Sequence, residues 1–250
     1  MTFSIVTICL NAERYLAEAM RSVLTQDCPD LEYILVDGGS SDRTQEIIRV
    51  FAEGDCRVKW HVEPKPGIAH AMNRGLQMAK GDLIAFLHAD DRYHGMKTLA
   101  KVSALFQKRP DALWVTGGLR EIDAHGEKLR DLPARRFSKS RLLCNNIIYH
   151  PATFIRHTVM REVGGFDESL RYAMDYDLWL RLAEISAPCI CDEMLAEFRV
   201  HAGSLSSDQR DSALEEEYLV RQRYLGRGPV RLPHICYQWL RMHYEKWRSR

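Results

Sequence analysis

Short apolar runs alternate with helical patterns through about residue 107 of the chain. Between the runs, apolar residues recur every three or four positions, which predicts helices near residues 12–24, 42–51, 68–79 and 96–107. Alternation of this kind is typical of a parallel, doubly wound sheet covered by helices on both faces. The runs themselves predict four buried strands: Ser4–Leu10, Leu31–Val36, Val58–Val62 and Leu83–Leu87.

Polar residues are predicted to begin two of these helices. Asn11 directly follows the first strand, in the position of a helix N-cap. Asp42 and Gln45 have the spacing of a capping box, in which two side chains satisfy the free amides of a helix start reciprocally.

The pattern is less regular after residue 110. A strand is predicted at Ala112–Thr116, a hairpin turn at Asp123–Gly126 and a helix over Asp175–Ile185. One or two further strands are expected within Ile190–Val200. The second half of the chain therefore continues an α/β unit, but with a less repetitive connection of its elements.

Composition and charge narrow the class of protein. Of the 250 residues, 46% are hydrophobic and 28% are charged, as in ordinary soluble globular proteins. Lysine and arginine together number 35 against 34 acidic residues, so the net charge of +1 gives no reason to expect a nucleic-acid partner. The longest uncharged stretches, Met1–Ala12 and Leu142–Ile155, are shorter than the roughly 20 residues of a membrane span, and no basic segment precedes the first. We therefore expect a cytoplasmic protein.

The C-terminal segment differs in character from the rest. Residues 221–250 contain eight Lys or Arg and one acid, Glu245, with tyrosine and tryptophan interleaved. Such a helix is able to lie on an anionic membrane surface, which would place the protein peripherally at the inner membrane face. A helix that packs its aromatic side chains on the main unit and leaves its basic face in water fits the same pattern.

Acidic residues at strand ends give the first indication of a nucleotide site. Asp37 follows the second strand and precedes two glycines, so it is placed either to bind a base or ribose or to form a turn. Asp90 and Asp91 follow the fourth strand, and adjacent carboxylates repel one another unless a cation binds them. Mg²⁺ or Mn²⁺ with a diphosphate meets that requirement, and a helix N-cap pair is the alternative. Doubly wound sheets bind ligands at this edge.

Asp175 and Asp177 lie at the start of a predicted helix, where acids are in any case favoured by the helix dipole. Two positions apart, they cannot share one face, so one is expected to point into a site and the other toward solvent or a structural partner. Arg199 is expected to reach a phosphate or to pair with an acid such as Asp177. His150 fits an acceptor cleft and a loop carbonyl equally well.

The ordered set of motifs in this chain resembles family 2 glycosyltransferases. Each motif is weak alone, but together they follow the family order over roughly residues 3–206. The motifs are Ser4–Asn11, Ser22–Gln26, Val36–Thr44, Gly67–Gly75, Ala79–Asp82, Phe86–Asp91, Gly164–Asp167, Asp175–Arg181 and Phe198–Ser204.

The resemblance implies a GT-A fold, which is a Rossmann-like, mostly parallel sheet flanked by helices. Residues 1–110 would form the nucleotide-sugar-binding half and 111–206 the acceptor half, with a helical, basic-aromatic extension over 207–250. The implied reaction is transfer of a sugar, with inversion, from a nucleoside-diphosphate sugar to a hydroxyl of a glycan or lipid-linked acceptor. The basic tail favours a lipid-linked acceptor, as in surface polysaccharide or glycolipid biosynthesis.

The resemblance also assigns roles to individual residues. Asp175 would be the general base that deprotonates the acceptor hydroxyl. Asp90 would hold Mn²⁺ or Mg²⁺ against the diphosphate, with His201 beside it as a further metal contact. The remaining expected contacts are with the nucleotide sugar: Thr7, Asn11, Asp37, His88 and Asp91.

Two positions depart from the family pattern. His88 stands where the metal motif often begins with Asp or Asn, and Met174 stands where the base motif often has Glu. These departures are the support for an alternative function, a non-catalytic module that binds nucleotide sugars or glycans. A nucleotidyltransferase is the other alternative, although the first strand is not followed by a glycine-rich basic loop. A metal-dependent, inverting glycosyltransferase is the expected function.

Overall fold

The computed structural model describes residues 1–65, 67–201, 210–225 and 240. Nine strands within these residues form one sheet, with the order β3-β2-β1-β4-β8-β6-β9-β5 and with β7 also paired to β6. The strands are β1 Phe3–Cys9, β2 Leu31–Asp37, β3 Val58–Val62, β4 Leu83–Phe86, β5 Arg92–Tyr93, β6 Trp114–Ile122, β7 Lys128–Leu132, β8 Thr153–Arg156 and β9 Cys189–Arg199.

Helices cover both faces of the sheet, as the alternating pattern predicts. On one face α1, α2 and α4 pack their apolar residues against the sheet, and on the other face α3, α6 and α7 do so. The helices are α1 Leu16–Leu24, α2 Thr44–Gly54, α3 Ile68–Met78, α4 Thr98–Lys108, α5 Lys139–Cys144, α6 His157–Glu162, α7 Met174–Ile185 and α8 Arg210–Tyr224, with a 3₁₀ turn at His150–Ala152.

The four strands β3, β2, β1 and β4 are parallel, so their carboxyl ends meet at one edge. Strands β1, β2 and β4 are buried along almost their whole length, which explains why their sequences are almost continuously apolar, whereas only Val58 of β3 is buried. Asp37 is the last residue of β2 and pairs in register with Cys9, the last residue of β1. The predicted placement of Asp37 at the carboxyl edge is therefore confirmed.

The second half of the sheet is mixed. Strand β8 runs antiparallel to β4 and β6, whereas β9 runs parallel to β6 and antiparallel to β5. Strand β6 extends six residues past the predicted end at Thr116, to Ile122. Gly117 and Gly118 look like a strand end in the sequence, but a side chain at Gly117 would meet the Leu195 side chain at 2.4 Å. The glycines let β9 approach closely where the register shifts.

Both predicted helix caps are wrong in detail. Asn11 has φ +49° and accepts a hydrogen bond from the Ser41 amide at 2.9 Å, while α1 begins later, at Leu16. Asp42 accepts from the Thr44 amide at 3.0 Å, but Gln45 does not return a bond to it; its amide donates to Asp37 at 2.8 Å. Local spacing indicated caps, whereas these side chains hold the loop that follows β2 against the loop that follows β1.

Helix α8 packs against α7 and belongs to the main unit. Val220 is fully buried, Arg221 donates to the Tyr176 hydroxyl at 3.0 Å, and Arg223 pairs with Asp167 at 2.7 Å. The first two arginines of the predicted basic tail are thus engaged with the protein. Residues 226–239 and 241–250 lie outside the described part of the chain. None of the helices that are described combines the length and the hydropathy of a bilayer-crossing segment.

Candidate active site

Asp37 is fully buried and organises the turn after β2. Its Oδ2 accepts hydrogen bonds from the amides of Gly39 at 3.2 Å and Ser40 at 3.0 Å, and from Gln45 Nε2 at 2.8 Å. Its Oδ1 accepts from Ser40 Oγ at 2.5 Å. Gly39 has φ +87°, a conformation that side-chain-bearing residues adopt rarely. The geometry is that of the turn-forming alternative, and a ligand would reach the carboxylate only by displacing one of these donors.

Thr7 and Asn11 occupy different environments at the end of β1. Thr7 has no exposed surface, and its hydroxyl donates to the Leu87 carbonyl at 2.7 Å and bonds with Tyr33 at 2.9 Å. The hydroxyl of Thr7 is therefore occupied within the core, and the expectation that Thr7 lines the nucleotide pocket stays a prediction. Asn11 is exposed at the edge, where its amide N–H donates to Ser40 Oγ at 2.8 Å. Of the two side chains, only that of Asn11 is exposed.

Asp90 and His201 meet at the end of β4. Their side chains are joined through Asp90 Oδ2 and His201 Nε2 at 3.0 Å. The imidazole of His201 also packs on the Tyr15 ring, with centroids 5.0 Å apart. Asp90 is 111 residues from His201 in the chain, so the fold brings this predicted pair together.

Arg199 holds the loop that carries the two acids. Its guanidinium is buried and donates from Nε to the Asp90 carbonyl at 3.0 Å, and its backbone amide donates to Asp91 Oδ1 at 3.1 Å. Its charge is paired with Glu18 at 2.7 Å. Of the two expected roles of Arg199, the structure has the pairing with an acid, and the acid is Glu18 rather than Asp177.

The donor set at Asp90 fits a divalent cation only in part. No group of three or more His, Cys, Asp or Glu side chains in the described residues is arranged to hold a metal by itself. Asp91 is 1% exposed and its Oδ2 has no hydrogen-bond partner among those residues, while burial and the neighbouring Asp90 raise its pKa well above the usual range. Asp90 and His201 supply one carboxylate and one imidazole donor, and a diphosphate and water would have to complete the coordination.

Five aromatic side chains, with Phe86 of β4 among them, form a cluster between β4 and α7. His88 stacks on His150 with centroids 5.0 Å apart, and His150 in turn contacts Trp179 and Phe166 at 6.0 and 6.3 Å. Burial holds the pKa of His150 well below its ordinary value, and His88 adds to the effect, so the ring is neutral. Both nitrogens of His150, like Trp179 Nε1, are shielded from solvent without a partner in the part of the chain described. The prediction that His150 satisfies a loop carbonyl is therefore wrong.

Asp175 lies in the first turn of α7, and the pKa of its carboxyl lies near neutral pH. Burial, reinforced by the negative charge of Glu217 on α8, raises its pKa to about 7. The Tyr176 amide at 2.6 Å and Asn146 Nδ2 at 3.4 Å donate to it and oppose that shift. Met174, which stands in place of an expected acid, is buried in the core and puts no charge beside Asp175.

Asp177 faces away from this site and serves as the structural partner. It accepts from Arg181 at 2.8 Å and from the Tyr224 hydroxyl of α8 at 2.8 Å. The division of roles between Asp175 and Asp177 that helical geometry demands is thus present.

Glu216 is a positioning residue that sequence reasoning missed. Its carboxylate accepts from the backbone amides of Arg171, Tyr172 and Ala173, directly before α7 begins, at 2.5–3.1 Å. A carboxylate at this place satisfies free amides and interacts favourably with the helix dipole. An acid-rich stretch before residue 218 was visible in the sequence, but nothing in it indicated which helix the acid would cap.

Side-chain contacts and short stretches of chain together connect the elements that carry the three acids. Asp37 is bound by Ser40, whose hydroxyl bonds the Asn11 amide; Tyr15, on the same loop, packs on the His201 that holds Asp90. From His88, two residues before Asp90, the stacked rings lead through His150 to Trp179. Trp179 lies one helical turn after Asp175, on the same side of α7.

The fold is that of the GT-A glycosyltransferases. Residues 1–349 of TarS from S. aureus, in complex with UDP-GlcNAc, superpose with a TM-score of 0.73 at 18% identity, covering 88% of this chain. This chain spans only 65% of that structure's length. The mannosyltransferase from Pyrobaculum calidifontis, in complex with GDP-Man and Mn²⁺, gives a TM-score of 0.70 at 19% identity, with 96% and 69% of the two chains covered.

The chain belongs to glycosyl transferase family 2, whose family model matches residues 4–163. It is similar to a PGL/p-HBAD biosynthesis glycosyltransferase from Mycobacterium tuberculosis, with 30% identity over 235 residues that cover 92% of this chain and 87% of that protein. It is also similar to a glycosyltransferase from Rickettsia typhi, with 29% identity over 223 residues that cover 86% and 69%. The expected family and fold class are confirmed.

Proposed function

We propose that this protein is an inverting glycosyltransferase that moves a sugar from a nucleoside-diphosphate sugar to an acceptor hydroxyl, with Asp175 as the general base. The observation that carries the proposal is the place of Asp175 in the first turn of α7, where the Tyr176 amide and Asn146 bond its carboxyl and where burial and Glu217 raise its pKa to about 7. A general base is most effective when its pKa lies near the working pH. The UDP-GlcNAc and GDP-Man bound to the structural relatives support the class of donor.

In the proposed reaction the Asp175 carboxylate accepts the proton of the acceptor hydroxyl while the hydroxyl oxygen attacks the anomeric carbon of the donor. The bond between that carbon and the diphosphate oxygen breaks, and the nucleoside diphosphate leaves with the electron pair. One in-line displacement inverts the anomeric configuration, so no enzyme nucleophile is required, unlike in retaining glycosidases.

Asp90 and His201 would hold a divalent cation, Mn²⁺ or Mg²⁺. When bound, such a cation stabilises the negative charge that develops on the leaving diphosphate. Arg199 keeps the Asp90 loop in place through its bond to the Asp90 carbonyl. The Mn²⁺ in the structure of the Pyrobaculum enzyme supports this assignment.

The nucleotide would lie over the carboxyl ends of β1 and β2. Asn11 is exposed there and His88 is half-buried, so these two side chains are the ones proposed to touch the donor directly. Asp37 and Asp91 would act indirectly: Asp37 would position the turn after β2, and Asp91 would position the loop after β4.

For the acceptor, a glycan or lipid-linked hydroxyl in surface polysaccharide or glycolipid biosynthesis is proposed. The interleaved basic and aromatic residues of 221–250 support peripheral contact with the inner membrane face. Liposome flotation of the full chain and of a chain that ends at residue 225 tests this contact. Equal binding by both, or binding by neither, would exclude a role for the segment.

Nucleotide release from a panel of UDP, GDP and dTDP sugars with Mn²⁺ tests the reaction. We expect the wild-type protein to turn over at least one donor, and Asp175→Asn to lose at least about a hundredfold in rate. Glu184→Gln is the matched control, since this exposed acid lies on the same helix and should leave the rate unchanged. Wild-type turnover no faster than that of Asp175→Asn would refute the proposal and leave a binding module.

Asp90→Asn tests the cation site separately. We expect the variant to lose the Mn²⁺-dependent rise in melting temperature as well as turnover, because its amide is a poorer cation ligand than a carboxylate. Stabilisation by Mn²⁺ equal to that of the wild type would place the cation elsewhere.

A further inference from the structure

A cavity of about 660 Å³ opens on the surface of the acceptor half, formed by the segment between β7 and the 3₁₀ turn. Three arginines line it, Arg135, Arg136 and Arg141, together with the hydroxyl-bearing Ser140. None of its lining residues is acidic. In a protein whose net charge is only +1, the cavity is a local concentration of positive charge rather than part of a basic surface.

The three arginines differ from their neighbours in having no acidic partner within the described residues. They are instead placed by weaker contacts: the guanidinium of Arg135 lies over the Tyr149 ring at 6.0 Å, and Arg141 donates to the Arg136 carbonyl at 3.4 Å. Every other lysine or arginine between residues 120 and 141 is paired at 2.5–2.7 Å: Arg120 and Lys128 with Asp131, Arg130 with Glu121, and Lys139 with Glu184.

The cavity lies beside the proposed general base. Asn145 is in its wall, and the next residue, Asn146, donates to Asp175 Oδ2 at 3.4 Å. The cavity wall and the proposed base are therefore connected through a single residue, Asn146. Leu142, between two lining residues, accepts from the Tyr176 hydroxyl of α7 at 2.6 Å, which fixes the segment to the helix that carries the base.

We propose that this cavity binds a phosphate or diphosphate group of the acceptor substrate through Arg135, Arg136 and Arg141, and so presents the acceptor hydroxyl to Asp175. Guanidinium groups form bidentate, charge-assisted hydrogen bonds with phosphate oxygens. Three such cations complement a ligand with two negative charges, such as a phosphate, better than they complement a ligand with one carboxylate. The donor diphosphate is proposed to lie at the strand ends near Asp90, so the arginines remain for the acceptor. The inference rests on the proposed transfer reaction and names the chemical class of its acceptor.

Binding of inorganic pyrophosphate, measured by titration calorimetry in EDTA, tests the cavity without metal or donor. We expect the variant R135Q/R136Q/R141Q to bind it at least about tenfold more weakly than the wild type. The matched control is R120Q/K128Q/R130Q, which removes the same charge from the neighbouring strands β6 and β7, outside the cavity, and should stay within about twofold. No binding by the wild type, or equal losses in the two triple variants, would overturn the proposal.

Turnover of donor in water, without acceptor, separates this inference from the proposed function. The cavity variant should keep its rate of nucleotide release and its donor affinity, because its arginines touch neither donor nor base. Loss of donor turnover in this variant alone would overturn the assignment to the acceptor. If no protein turns over a donor while pyrophosphate binding still distinguishes the two triple variants, the proposed function fails and the phosphate site stands.

Vesicles distinguish a lipid-borne phosphate from a soluble one. Flotation with phosphatidylcholine vesicles that contain phosphatidic acid should differ between the two triple variants, and pyrophosphate should compete, if the phosphate is carried on a lipid. Pyrophosphate binding without such a difference assigns the cavity to a soluble phosphorylated glycan. Absence of both effects refutes the site.

Discussion

Replacement of the proposed base by its neutral isostere should make the protein more stable at the pH at which it is active. Asp175 has its pKa raised from 3.8 to about 7, chiefly by burial. Between these values the native state holds the proton and the unfolded chain does not, so stability falls as the pH rises through this range. Because a tenfold change in a protonation equilibrium corresponds to about 1.4 kcal/mol, the cost at pH 8 is about 4 kcal/mol as an upper limit.

Asp175→Asn removes that cost and keeps most of the local bonding. The Asn side-chain oxygen still accepts from the Tyr176 amide, while Asn146 must rotate to offer its oxygen instead of its amide. We therefore expect a gain of about 2–4 kcal/mol at pH 8, falling to about 2 kcal/mol or less at pH 5 and to about 0.5 kcal/mol or less at pH 4, where the carboxyl is neutral in the native state and about half ionised in the unfolded chain.

Urea unfolding of wild type, Asp175→Asn and Glu184→Gln at these three pH values measures the effect. At about 2–4 °C per kcal/mol, the gain also appears as a rise in melting temperature. Glu184 is an exposed acid of α7, so its variant should show no comparable dependence on pH. If Asp175→Asn is no more stable than the wild type at pH 8, or differs from it equally at pH 4 and pH 8, the carboxyl is not held near neutrality by burial and the reasoning is refuted.

The strands in the parallel half of the sheet were predictable because their sequence pattern depends on residues that are close together in the chain. Strands buried on both faces are apolar throughout, and Leu83–Phe86 ends one residue short of its predicted bounds. Val58–Val62 has its predicted bounds although only Val58 in it is buried. The end of β6 was not predictable, since Gly117 is a strand residue only because Leu195 of β9 lies against it. That fact depends on a neighbour far along the chain.

The candidate site also has features that the sequence predicts and features that it does not predict. The positions of Asp90 and Asp175 followed from strand ends, helix starts and the resemblance to the family. The contacts that set their chemistry did not follow, because Arg199 finds its charge partner 181 residues away, at Glu18, and Glu216 caps a helix from another part of the chain. Sequence patterns give the type and place of a side chain, whereas its charge state depends on packing between remote segments.

Three further variants test that packing. Glu216→Ala leaves backbone amides before α7 without their acceptor and should lower the free energy of unfolding by about 1–3 kcal/mol in urea titrations. Glu217→Gln removes a negative charge that raises the pKa of Asp175, so the acidic limb of the pH–rate profile should move to lower pH; a shift to higher pH would contradict the assignment. His150→Phe keeps the ring stack but removes two nitrogens that are shielded and unpartnered within the described residues. Because burying an unpaired polar atom is unfavourable, the variant should be at least as stable as the wild type. If a sugar hydroxyl normally bonds the imidazole, the KM for donor or acceptor should also rise about tenfold. Unchanged kinetics with raised stability would show that the ring only packs.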